Sequence, residues 1–305
     1  MGKPQNLKPV RLTSDSTNMT QAQYPQDESF KYPPLGEFDT QKALQHLERE
    51  QMKGALYCIA LTCGATLSSL LNSALALGLI LLTTQQIKKL DNLSNIIIVM
   101  KTLLKEFSDQ GIEIIPRVPV PKKETGIHQI DLFVRIPVKK VYFVLCVRKM
   151  EQSKVVFHEQ KGKLMRRRKK GLSPFNPDPL EFLPNSTIWV QRNQRTLFGR
   201  ASNDKRRPCA KILVLVHSTK IAQHRSEFYI TLGEEQFLCV KGKSPVMIVH
   251  HKKNLCSFIK NYIEKHGKSQ SQATSKPKSQ ATSKPKSKPK KGRFKFNSAK
   301  SAGSG

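Results

Sequence analysis

The strongest pattern along the chain is an interval without charge. Gly54 to Ile87 holds 34 residues and no Asp, Glu, Lys or Arg, with its densest apolar part between Leu67 and Leu82. About 20 such residues, rising about 1.5 Å each, cross a bilayer core, so residues 54–87 are long enough for one tilted transmembrane helix. They are barely long enough for a tight re-entrant hairpin. A buried helix of a soluble domain is the competing assignment, favoured by Asn72 and the serines and threonines. We expect a transmembrane segment, because 34 uncharged residues exceed an ordinary helix.

Residues 1–36 are polar, rich in Gln, Ser, Thr and Pro, and predict a disordered leader. Residues 37–53 predict a short charged helix beside the membrane. Past the uncharged interval, Leu90, Leu93, Ile97, Val99, Leu103, Leu104 and Phe107 mark one face of an amphipathic helix that Gly111 closes. Short strands follow over 112–118, 127–136, 141–147 and 155–158. A long polar stretch with Pro174, Pro177, Pro179 and Pro184 then leads to a helix predicted around Thr187–Gly199. Ile212–Val216 is wholly apolar, as in a central strand, and strands over 228–232, 236–240 and 246–249 precede a closing helix at 255–263. This order predicts, over residues 88–265, an α/β domain with a mixed β-sheet flanked by helices. Residues 266–305 repeat Ser-Gln-Ala-Thr-Ser-Lys-Pro-Lys and predict a disordered basic tail.

Charge changes the picture. The chain carries 53 Lys+Arg against 22 Asp+Glu, a formal net charge of +31. Up to Lys53 the two signs balance at 7 each, so the whole excess lies after Gly54. Such an excess repels itself unless an anion compensates it, which makes nucleic acid the expected partner, DNA ahead of RNA. Lys88 and Lys89 directly follow the apolar interval, and the positive-inside tendency then places the basic C-terminal part in the cytoplasm of a membrane-held protein. Six cysteines (58, 63, 146, 209, 239 and 256) form no CxxC pair and show no paired spacing, which argues against a zinc ribbon and against a stapled secreted scaffold.

The densest basic run is Lys161, Lys163, Arg166, Arg167, Arg168, Lys169 and Lys170, and Arg192, Arg195, Lys205, Arg206 and Arg207 continue its sign. In the tail, Lys276, Lys278, Lys284, Lys286, Lys288, Lys290, Lys291 and Arg293 alternate with prolines that keep them extended, so they reach successive phosphates without reading bases. Anionic lipid is the rival partner, since polybasic segments gain about 1 kcal/mol per residue at an anionic leaflet. Trp189 and Phe198 are core candidates before they are base-stacking ones. His217, His224, His250 and His251 show no metal-ligand spacing.

Two segments carry a family resemblance: Gly126-Ile-His-Gln-Ile-Asp131-Leu-Phe-Val134, and Lys140-Val-Tyr-Phe-Val-Leu-Cys146-Val-Arg148-Lys149. With Lys211–His217 and Pro245–Val249 leading into Leu255–Ile259, the stretch from Leu90 to Ile263 resembles the nuclease-related domain of bacterial proteins, a branch of the PD-(D/E)xK nucleases. The resemblance implies a restriction-endonuclease-like fold. It also implies that Asp131 is the metal-binding aspartate and that an acid-x-Lys pair lies on the next strand. Here the acid position is Cys146 and the lysine position Arg148; sliding by one restores Lys149 but puts Val147 at the acid position. Asp131 and Lys149 are thus the candidate catalytic residues of a degenerate domain, expected to bind nucleic acid at a membrane without a cofactor. The alternative is an active nuclease using Mg²⁺, with its acid migrated to Glu151 or Glu159 and Glu106 as a further ligand. A third reading is a basic protein bound to anionic lipid.

Overall fold

The computed structural model describes residues 32–69, 73–150, 152–168, 171–199, 208–242 and 244–273. The predicted leader up to residue 31, Glu151, Lys169, Lys170, Lys205, Arg206, Arg207 and the basic tail residues Lys276 to Arg293 lie outside them. Two long helices come first, α1 (Thr40–Ser69) and α2 (Ser73–Phe107). They are followed by β1 (Glu113–Pro119), the single turn α3 (Lys122–Thr125), β2 (Gln129–Ile136), β3 (Val141–Lys149), β4 (Lys154–His158), β5 (Lys163–Arg168) and β6 (Gly171–Pro174). Then come α4 (Pro179–Asn193), β7 (Cys209–Val216), β8 (Lys220–Ile221), β9 (Tyr229–Leu232), β10 (Glu235–Lys241), β11 (Pro245–His250) and α5 (Leu255–Ala273).

Seven strands form the main sheet in the order β1-β2-β3-β7-β11-β10-β9. β7 runs parallel to both β3 and β11, and the other neighbours are antiparallel, so the sheet is mixed, as expected. Its centre is covered on both faces, which is why β3 and β7 are near-continuous apolar runs. Phe143, Leu145 and Val147 face the layer of α2 and α5, where Met100, Leu103 and Phe258 are fully buried. Tyr142, Val144 and Cys146 face α4 through Phe182, Leu183 and Val190. Gly111, left-handed at φ 64°, closes the turn after α2.

The stretch expected to be a polar connection is more ordered than its composition suggests. β5 and β6 pair with β4 and β8 in a second, four-stranded sheet, order β6-β5-β4-β8. α4 starts earlier than predicted because Asp178 caps it, its Oδ1 accepting the Leu180 N–H at 2.9 Å, with Pro179 at a first-turn position that needs no N–H.

The residues before the uncharged interval are integral to the domain. Leu44 and Leu47 of α1 are buried in the same cluster as β3 and β7. The Phe38 N–H donates to Glu113 Oε1 at 2.9 Å, and Glu113 forms a buried ion pair with Arg135. Arg135, fully buried, donates to the carbonyls of Pro33 (3.0 Å) and Pro34 (2.9 Å). Burial lowers its pKa against the pull of Glu113, which opposes that shift. Residues 32–53 are therefore a strap and helix of the α/β domain, where a leader and a separate juxtamembrane helix were expected.

The single transmembrane helix expected over 54–87 is not formed. α1 ends at Ser69, α2 begins at Ser73, and no helix among the described residues is long and apolar enough to cross a membrane. The two arms pack antiparallel: Gly54 lies against Leu90, Gly64 against Leu79, and Lys101 pairs with Glu48 at 2.6 Å. Along this hairpin the usual amphipathic pattern inverts. The less exposed positions are mostly small or polar, Gly54, Cys58, Gly64 and Ala65 on α1 and Ala76, Thr83 and Gln86 on α2, with Leu79 and Leu90 packed on the two glycines. The outside is large and apolar: Leu56, Ile59, Leu67, Leu77, Ile80 and Leu81 are 51–67% exposed. Past Lys89 the same α2 returns to the ordinary pattern, burying Leu93, Ile97 and Met100.

Candidate nucleic-acid interface and the Asp131 site

Asp131 is the second residue after the start of β2, where that strand passes the end of β3, one step beyond the Leu132–Leu145 pair. Its Oδ2 accepts the Val147 N–H at 2.7 Å and an Arg148 guanidinium N–H at 2.7 Å. Strand alternation puts Cys146 and Arg148 on Asp131's face of the sheet and Lys149 on the other. Lys149 accordingly reaches Asp91 of α2 at 2.8 Å. The structure thus brings together Asp131, Cys146 and Arg148 and does not bring Lys149 to Asp131.

Magnesium wants an octahedral oxygen shell anchored by one or two carboxylates. Asp131 has one carboxylate, and a guanidinium already lies against it, stacked at 5.8 Å from the Phe182 ring centroid. Cys146 is buried, and that burial pushes its thiol well above the ordinary range although the Arg148 charge pulls the other way. A neutral thiol is a poor ligand. Glu106 lies instead near Cys256, whose thiol is pushed up to about 11 by burial and then by that carboxylate. Glu159 pairs with Arg225 at 3.3 Å. Among the described residues no three His, Cys, Asp or Glu side chains group as metal ligands. The described residues around Asp131 thus do not fit a catalytic Mg²⁺ ion, and the candidate acid Glu151 lies outside them.

The basic run lies at the same end of the main sheet. β4 follows β3 through a tight connection in which Thr219, directly before β8, accepts the Met150 N–H at 2.8 Å, and the Lys220 N–H donates to the Ser153 carbonyl. Lys161, Lys163, Arg167 and Arg168 are exposed there. Arg166 turns to the opposite face of β5 and donates to Ser173 Oγ at 3.2 Å.

The sheet register adds two cations that no local charge run revealed. Lys154 of β4 lies directly opposite Arg167 of β5 on one side and Lys220 of β8 on the other. Directly paired residues share a face, so Lys220, Lys154 and Arg167 form one transverse row about 10 Å long, at about 4.8 Å per strand. All three are exposed, and among the described residues none has an acidic partner. Like charges directly opposite destabilise a sheet.

Arg192 and Arg195 are exposed but lie elsewhere. They sit beside Leu197 and Phe198, whose carbonyls receive Arg135 (3.5 Å) and Tyr142 (2.9 Å) at the far end of β2 and β3. From Tyr142 to Arg148 is roughly 20 Å along the strand. Phe198 is buried against Phe133 (5.3 Å) and Tyr142 (4.8 Å), and Trp189 packs on the same cluster, so both are core residues. His224 Nε2 accepts the Phe157 N–H at 2.9 Å, and His217 contacts Asn95 of α2 at 2.7 Å. The chain matches no family model, no curated protein and no solved structure.

Proposed function

We propose that the chain is a nucleic-acid-binding protein held at a membrane, in which a nuclease-like site has been converted into a structural ion pair. The observation that carries the reading is the in-register row Lys220, Lys154 and Arg167; exposed Lys163 lies on the same face of β5 four residues from Arg167, and exposed Lys161 precedes that strand. A strand pairing that sets three cations side by side without an acid is tolerated where an external anion neutralises them, and a phosphate backbone supplies a line of such anions. Contacts of this kind position a duplex or a single strand without reading bases.

Arg148 supports the non-cleaving half of the proposal. Its guanidinium lies against the carboxylate of Asp131, where cleavage by a metal mechanism needs a cation whose ligand shell stays open to water and phosphate. The full chain incubated with plasmid and Mg²⁺ or Mn²⁺ is therefore expected to retard the plasmid and leave it intact. Cleavage abolished by Asp131→Ala would overturn this and point to a migrated acid. Cys146→Glu with Arg148→Lys, which rebuilds the acid-x-Lys pair beside Asp131, is expected to introduce metal-dependent nicking.

Anionic lipid is a second reading with its own observation. Lys149–Asp91 and His217–Asn95 tie the end of the main sheet that carries the small sheet to α2 just past the uncharged interval. Flotation with anionic vesicles in the presence of competing duplex separates the two: a basic row serving nucleic acid leaves vesicle binding unchanged when Lys154, Arg167 and Lys220 become Gln.

A further inference from the structure

We propose that residues 54–69 and 73–87 are the two arms of a re-entrant hairpin that enters a lipid bilayer from one side and returns to that side, which makes the protein monotopic. The proposal rests on the membrane half of the reading above and specifies how that membrane is engaged.

Connectivity leads to it. The chain entering the hairpin belongs to the α/β domain through Leu44, Leu47 and the Glu113–Arg135 strap. The chain leaving it belongs to the same domain through Leu93, Met100 and Leu103. Both ends of the uncharged interval thus emerge from one folded body. A segment anchored in this way cannot deliver its two ends to opposite sides of a bilayer while the domain stays folded.

The hairpin's chemistry selects lipid as its occupant. In water a helix pair buries most of its large apolar side chains, whereas this pair sets Gly54 and Gly64 against Leu90 and Leu79 in the seam and leaves most of its leucines and isoleucines exposed outside. Small residues at the contact and large ones facing outward are the pattern of helices packed in hydrocarbon. Hydrocarbon also requires polar groups to be satisfied within the segment. Thr62, Thr66, Ser69, Thr83 and Thr84 each donate to a carbonyl three or four residues earlier in their own helix, at 2.7–2.8 Å. Charge complementarity points the same way, because exposed Lys53, Lys88 and Lys89 lie at the root of the hairpin, where anionic headgroups would meet them. Arms of 16 and 15 uncharged residues, residues 54–69 and 73–87, reach about 24 Å, past the midplane of a core about 30 Å thick and short of its far side.

The test uses the full chain with Cys58, Cys63, Cys209 and Cys256 changed to alanine and two reporters added, Gln45→Cys before the hairpin and Lys253→Cys after it. Both positions are exposed, and the remaining Cys146 and Cys239 are buried. Reconstituted in sealed vesicles of phosphatidylcholine and phosphatidylglycerol, the protein is treated with a membrane-impermeant maleimide and its labels are counted by mass. A re-entrant hairpin gives molecules with either no label or two, whichever way they face. Floating protein in which every molecule carries one label would overturn the hairpin and leave the membrane reading standing. Protein that fails to float and elutes as a discrete dimer would overturn both and identify the apolar face as a contact between copies. As a check on the surface itself, Leu77→Gln with Leu81→Gln removes no buried contact of the domain and is expected to lower vesicle partitioning at least tenfold with an unchanged melting temperature. Unaltered partitioning would contradict lipid as the occupant.

Discussion

Two charged regions meet at the same end of the main sheet and handle charge in opposite ways. At Asp131 the charges meet their complements: Arg148 and the Val147 N–H on the carboxylate, and Lys149 across the sheet on Asp91. On the small sheet the strand register sets Lys220, Lys154 and Arg167 side by side with no acid among the described residues. A paired charge is already spent on holding the fold together, whereas an unpaired row on rigid strands is available to an outside anion. The motif that most resembles a catalytic site is therefore a structural ion pair, and the unpaired cations, which no motif announced, are the ones our proposal gives to a nucleic-acid phosphate backbone.

The sharpest break of that contrast is at the most buried pair. Arg135→Met leaves the Glu113 carboxylate uncompensated in the core and frees the carbonyls of Pro33 and Pro34, so a loss of about 3–5 kcal/mol is expected in denaturant unfolding. Next comes Asp131→Ala. It strips the partner from the buried Val147 N–H and from half-buried Arg148, for about 2–4 kcal/mol of stability, and leaves nucleic-acid affinity within a few-fold. On the small sheet the signs exchange. Lys154→Gln, Arg167→Gln and Lys220→Gln together are expected to weaken duplex binding by about 10- to 100-fold, while stability holds or rises slightly as the like-charge repulsion is relieved. Fluorescence anisotropy and thermal melting on the same samples check both halves. The smallest effect expected is that of Arg195→Gln, which leaves duplex affinity within about twofold because Arg195 sits at the opposite end of β2 and β3.

Much of the main sheet was legible because its strands are unbroken apolar runs between turn residues, and the helices on it carry a clear period. The strand-end position of Asp131 and the register that sets Cys146 and Arg148 beside it could be read as well. Lys149 nonetheless remains a catalytic candidate on sequence alone, since sliding the motif by one residue restores the lysine though not the acid, and only the strand parity that sends Lys149 to Asp91 removes it. Lys154 and Lys220 stayed hidden because they are isolated cations 66 positions apart, and only the β4–β8 pairing makes them neighbours. The uncharged interval gave length but no direction. A spanning helix and a hairpin need the same residues, and the small residues at its seam identify the fold-back only when Gly54 is seen against Leu90 and Gly64 against Leu79.

The most direct measurement is the salt dependence of duplex binding by the full chain in the presence of Mg²⁺, compared with the variant lacking the three cations of the row. Each phosphate contact contributes about 0.9 to the slope of log affinity against log salt, so removing the row should flatten that slope by about 2–3 while the duplex stays intact. An unchanged slope would show that the Lys220, Lys154 and Arg167 row does not bind the phosphate backbone.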